Sequence, residues 1–114
     1  MHPTITRDEL AQAIDEGGVT VVEALPPMYF ADAHLPGAVN LPHDRVRELA
    51  PALLPDRDAA IVVYCANTPC QNSGIATREL IAMGYRDVRE YAEGKQDWIE
   101  AGLPIEKTLD SKVA

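Results

Sequence analysis

Apolar positions along the chain follow two periods, and their alternation predicts a succession of helices and strands. Thr6-Arg7-Asp8-Glu9 fits a capping box, and Leu10, Ala13 and Ile14 then share one face up to Gly17-Gly18. This predicts a short amphipathic helix. Val19-Thr20-Val21-Val22 is a β-branched run that Glu23 ends with a carboxylate, and Pro26-Pro27 stops the strand before one or two helical turns over Met28 to Ala33. A turn at Pro36-Gly37 leads into a short apolar strand, Ala38 to Leu41. Asp44 is placed to cap a helix through Arg45 to Ala50, with Pro51 to Asp58 as a connector.

The run Ala60-Ile61-Val62-Val63-Tyr64 is unbroken, apolar and too short for a helix, as expected of a strand buried on both faces of a parallel sheet. It should be the central strand. After the loop Cys65 to Asn72, the spacing of Ile75, Leu80, Ile81 and Met83 predicts a helix, with Ser73 as its N-cap and Gly84 as its end. Val88-Arg89-Glu90-Tyr91 alternates with period two, and Gly94 opens a last helix, Lys95 to Ala101, in which Trp98 is core filler. The order predicts a three-layer α/β domain with a mostly parallel sheet. Residues 1–114 read as one domain, with a core over about 6–106, a loose tail over 107–114, and His2 and Pro3 as a frayed terminus.

Composition narrows the function. The formal net charge is −8, from 18 acidic and 10 basic residues, so a basic stripe for nucleic acid or anionic lipid is absent. No apolar run approaches a membrane span and no signal-peptide order is present, which predicts a cytoplasmic protein. Two cysteines and three scattered histidines make neither a disulfide framework nor a spaced metal site, so no metal or organic cofactor is expected.

The chemistry centres on Cys65, which follows the central strand and precedes a helix N-terminus, where free amides and the helix dipole favour an anion. A thiol there is expected to be acidified and nucleophilic. The amides of Ala66, Asn67, Thr68, Pro69, Cys70, Gln71, Asn72 and Ser73 are the stretch able to curl around bound negative charge, Pro69 excepted for want of an N–H. Glu23 and His34 read as structural support, a carboxylate organising nearby donors and an imidazole tying its turn to a neighbouring carbonyl or carboxylate. Cys70 is a possible second thiol.

The chain resembles the rhodanese family from about Thr6 to Glu106. Three segments carry the likeness: Val21-Val22-Glu23 followed by His34-Leu35-Pro36-Gly37-Ala38-Val39-Asn40-Leu41-Pro42; Val62-Val63-Tyr64-Cys65 followed by a helix ending in Met83-Gly84-Tyr85; and Gly94 with Trp98 and Ala101-Gly102-Leu103-Pro104. The resemblance implies a rhodanese-like three-layer fold with a central, mostly parallel sheet of about five short strands flanked by helices. It also implies a sulfurtransferase or persulfide carrier, in which a sulfane sulfur passes from a small donor or persulfidated protein, through Cys65, to an acceptor protein or thiol. Loops of that family commonly carry arginines at two positions, here Ala66 and either Cys70 or Asn72, and no Lys or Arg occurs between Cys65 and Arg78. Without an arginine fork to match its oxygens, thiosulfate is disfavoured as the natural donor, and phosphatase chemistry is disfavoured for the same reason. Two other readings stay open: a dithiol redox protein using Cys65 and Cys70, and a non-catalytic rhodanese-like module that binds a protein partner.

Overall fold

The computed structural model describes residues 2–107. Its elements are α1 (Arg7–Glu16), β1 (Thr20–Glu23), α2 (Pro27–Asp32), β2 (Val39–Asn40), α3 (Val46–Leu53), β3 (Ala60–Tyr64), α4 (Asn72–Ala82), β4 (Asp87–Tyr91) and α5 (Gly94–Glu100). All strand pairs are parallel, in the order β2-β1-β3-β4. The sheet has four strands rather than about five. Where a fifth strand would lie, beyond β4, there is a single parallel bridge from Thr4 to Glu90, flanked by Ile5 N–H to Glu90 O at 3.1 Å and Glu90 N–H to Pro3 O at 3.0 Å. Pro3 has no N–H, and the capping box at Thr6 turns the chain into α1, so this segment cannot pair further. It is nevertheless anchored: His2 Nε2 lies 2.6 Å from Glu90 Oε1, so the expected fraying of His2 is not what the structure has. Of the loose tail expected over 107–114, Lys107 is described and exposed, and the rest lies outside the described residues.

The alternation of strand side chains builds two cores. Val22, Ile61, Val63 and Val88 point toward α3 and α4, where they meet Val46, Ala50, Ala76 and Leu80. Val21, Val62, Tyr64 and Tyr91 point the other way, onto Leu10 of α1 and Trp98 of α5. Trp98 is 2% exposed, and its indole N–H donates to Pro104 O at 2.8 Å. One expectation about α3 fails. The helix has no side-chain cap from Asp44 and runs through Pro51 to Leu53, because Ala50 and Leu54 are both buried in the first core and Leu54 N–H closes on Ala50 O at 2.7 Å.

The sheet's carboxyl edge is locked by a wholly buried carboxylate. Glu23 accepts from Tyr64 Oη at 2.7 Å and from Lys95 Nζ at 3.1 Å on each oxygen. Lys95 Nζ also donates to Ala33 O at 2.6 Å and Tyr29 O at 3.0 Å, while Tyr64 Oη accepts from Leu35 N–H at 3.1 Å. Burial pushes the Glu23 carboxyl up from its ordinary range, against the opposing pull of Tyr64 and Lys95.

Removing one partner strands the other in a low-dielectric site. Lys95→Met is expected to lower unfolding stability by about 3–5 kcal/mol, and Lys95→Met with Glu23→Gln to recover most of that loss. Urea unfolding checks both, and a single-variant loss below about 1 kcal/mol would place the lock elsewhere.

Candidate active site

The chain reverses between β1 and β3, with β2 on one side of β1 and β3 on the other, which opens a crevice at the carboxyl ends of those two strands. Cys65 lies there, one residue past β3 and 1% exposed. The following turn is closed by Cys70 N–H to Asn67 O at 3.0 Å. Helix α5 clamps the turn from outside: Lys95 N–H donates to Cys65 O and Gln96 N–H to Ala66 O, each at 2.8 Å. That approach requires Gly94. It has φ +78°, and a Cβ on it would stand 2.8 Å from Cys65 O, the Ala66 carbonyl carbon and Asn67 N.

Around the Cys65 sulfur the structure gathers a chain of polar groups. Sγ lies 3.3 Å from Ser73 Oγ and 3.5 Å from Cys70 O. The Ser73 hydroxyl donates to Glu90 Oε2 at 2.5 Å, and the other Glu90 oxygen meets His2. Ser73 does not cap α4 as expected. The N-cap position is Gln71, which makes no side-chain cap, and Ser73 is a buried residue of the first turn whose hydroxyl is taken by the thiol and Glu90.

The electrostatics divide the two cysteines. Burial pushes the Cys65 thiol up and the hydrogen bond with Cys70 adds to this, against the lowering effect of the Ser73 hydroxyl and Ser73 N–H. Partial burial also acts to raise Cys70, but hydrogen bonds from the Cys65 thiol and from the Ala66 and Asn72 amides outweigh it and hold Cys70 below its ordinary value. Burial thus works against the acidification expected at Cys65. The Asn72 N–H at the head of α4 and the Ala66 N–H of the loop both act to lower Cys70.

Of the residues singled out in the sequence, Ala66, Cys70, Asn72 and Ser73 converge on the two sulfurs, whereas Thr68, Pro69 and Gln71 are exposed on the rim. Asn67 ties the rim to α5 through Gln96 Oε1 at 3.3 Å. His34 stacks on Phe30, donates its Nδ1–H to Phe30 O at 2.8 Å and faces Glu106 Oε1 at 3.6 Å, so its ring is engaged away from Cys65. Glu90 and Lys95 went unnoticed in the sequence. A polar residue at the carboxyl end of the strand beside β3 was the available signal for Glu90, since Val63 pairs with it across the sheet. Beside the loop lies an open hollow of about 340 Å³, lined by Asn67, Thr68 and Pro69 on one side and by Glu93, Asp97 and Glu100 of the α5 segment on the other. Among the described residues no group of three or more His, Cys, Asp or Glu is placed to hold a metal, and no helix is long and apolar enough to cross a membrane.

The family described as the rhodanese-like domain matches residues 6–101. The chain is 35% identical over 103 residues to the HTH-type transcriptional regulator Rv0324 of Mycobacterium tuberculosis, covering 90% of this chain and 44% of that protein, so it spans less than half the regulator's length. It is 33% identical over 76 residues to the thiosulfate sulfurtransferase PspE of Escherichia coli, covering 67% of this chain and 70% of that one. The crystal structure of BH2092 from Bacillus halodurans shares the fold with a TM-score of 0.86 at 23% identity, over 94% of this chain and 78% of that one.

Because Cys70 is held below its ordinary value and Cys65 above it, thiolate is expected at Cys70 first as pH rises, with Cys65 following at higher pH. Iodoacetamide labelling across pH 6 to 10, mapped by peptide mass, is expected to modify Cys70 before Cys65, around the ordinary thiol range of about 8.5. Earlier labelling of Cys65 would mean that the helix N-terminus outweighs burial.

Proposed function

This chain belongs to the rhodanese-like domain family, and on that premise we propose that it is a sulfurtransferase working through a persulfide on Cys65. The observation that carries the reading is the seat of Cys65: a thiol at the carboxyl end of the central crevice, with its sulfur on the Ser73 hydroxyl and backbone amide at the head of α4. Its relatives include proteins named as thiosulfate sulfurtransferases.

In the first step the Cys65 thiolate attacks the outer sulfur of a donor persulfide. A sulfur–sulfur bond forms at Cys65, the donor's sulfur–sulfur bond breaks, and the donor leaves as a thiolate. In the second step an acceptor thiolate attacks the outer sulfur and Cys65 leaves as thiolate. The Cys65 proton has a route out, since Ser73 Oγ faces the thiol and donates in turn to the Glu90 carboxylate. The negative charge of the persulfide is met by loop amides, with no metal or organic cofactor assigned a role.

Donor choice follows from charge. The loop Cys65–Ser73 has no Lys or Arg, and Lys95, the cation nearest in α5, is committed to Glu23 and two carbonyls. The adjacent hollow presents the carboxylates of Glu93 and Glu100, with Asp97 beside them paired to Arg7. A dianion such as thiosulfate meets repulsion there, so the donor is a persulfidated small thiol or protein, and the acceptor a protein or small thiol.

Intact mass after treatment with sodium polysulfide is expected to rise by one sulfur atom on Cys70→Ser, a gain that cyanide removes and that the Cys65→Ser/Cys70→Ser double variant lacks. A Cys70→Ser protein that never gains the sulfur would move the reading to a non-catalytic binding module. Single-turnover loading from thiosulfate is expected to be at least about tenfold slower than from a low-molecular-weight persulfide. Equal rates would show that an arginine clamp is dispensable.

A further inference from the structure

The second thiol lies where the proposed persulfide is made. Cys70 is five residues from Cys65 in a turn that folds back on itself, and its carbonyl oxygen is 3.5 Å from Cys65 Sγ. Its side chain is partly exposed, and the Cys65 thiol with the Ala66 and Asn72 amides holds it below its ordinary value. Both cysteines are free.

Resting on the Cys65 persulfide reading, we propose that Cys70 is a resolving thiol and that the domain also acts as a persulfide reductase, releasing sulfide from its own loaded form. The Cys70 thiolate attacks Sγ of the Cys65 persulfide, the inner sulfur. A Cys65–Cys70 bond forms, the bond from Sγ to the outer sulfur breaks, and that sulfur leaves as hydrosulfide with the proton that the Cys70 thiol gives up on ionising. The sulfane sulfur is reduced by two electrons and the two cysteine sulfurs are oxidised to a disulfide, so the step needs no outside reductant. Return to the dithiol needs one, an external dithiol that exchanges with the bridge. The exposed position of Thr68, Pro69 and Gln71 on the rim leaves the bridge open to such a reductant.

The competing fates of the outer sulfur are transfer to an acceptor thiol and release by Cys70. Their balance depends on how quickly an acceptor reaches the hollow. With an acceptor in excess the domain behaves as a transferase; without one it discharges itself and stops as the disulfide.

The test loads wild type, Cys70→Ser and Cys65→Ser with sodium polysulfide, removes small molecules rapidly, and follows sulfide release and intact mass without added thiol. Wild type is expected to release one equivalent of sulfide and to end two hydrogens lighter than the reduced protein, with peptide mapping showing the Cys65–Cys70 bridge. Cys70→Ser is expected to hold its extra sulfur, releasing sulfide at least about tenfold more slowly until a dithiol is added. A wild type that keeps the sulfur as long as Cys70→Ser does overturns the resolving role and leaves the Cys65 persulfide intact. If Cys70→Ser never gains the sulfur, the persulfide reading itself fails and this inference falls with it.

Discussion

The carboxylate of Glu23, with no solvent exposure, is the constraint on which the rest of the structure depends. It ends β1, receives the hydroxyl at the end of β3, and holds the ammonium that begins α5. Cys65 follows directly on the second of these and is hydrogen-bonded through its carbonyl to the third. Because Lys95 is drawn inward to Glu23 and the carbonyls of Tyr29 and Ala33, the first amides of α5 are delivered to Cys65 O and Ala66 O. An ion pair in this setting contributes little net stability over an apolar replacement, but breaking it is costly. Its effect here is positional, fixing the turn against a helix whose first residue must be glycine.

That commitment has an electrostatic consequence for the crevice. The cation in α5 nearest the loop is neutralised inside the protein, and the loop supplies no other. What remains for an anion is a set of backbone amides and one buried hydroxyl, with carboxylates at the edge of the hollow. Amides favour a small, singly charged sulfur anion and provide no fork for a sulfonate. Burial alone works against ionising Cys65, and the same amides work for it. Cys70 is the more exposed of the two, and the Ala66 and Asn72 amides act to lower it.

The relay from Cys65 through Ser73 to Glu90 and His2 spans four separate pieces of the fold: the end of β3, the head of α4, the end of β4 and the N-terminal segment. The bridge of Thr4 to Glu90 at the sheet edge is what brings His2 to the carboxylate. A stub too short to be a fifth strand thus closes the polar chain behind the thiol.

Local pattern was enough to read α1 with its capping box, the buried β3, the period-two β4, and the place of Cys65 between a strand and a helix. Those features depend on neighbouring residues, and neighbours are what a sequence displays. Membership of the rhodanese-like family was legible too, because motif order survives in the chain. The four-strand count was not, since a Pro3 without an N–H and the start of α1 cut the edge pairing short. Nor was the course of α3 through Pro51, which burial of Ala50 and Leu54 decides. The helix start at Asn72 rather than at a Ser73 cap, the Glu90 carboxylate behind Ser73, and the burial that pushes the Cys65 thiol up all arise from contacts between segments distant in the chain or folded back on themselves. The sequence by itself determined which groups of the site are present and the element that presents Cys65. Only the tertiary structure decided which group each one faces, because pKa and hydrogen bonding depend on burial and on partners that sequence spacing does not bring together.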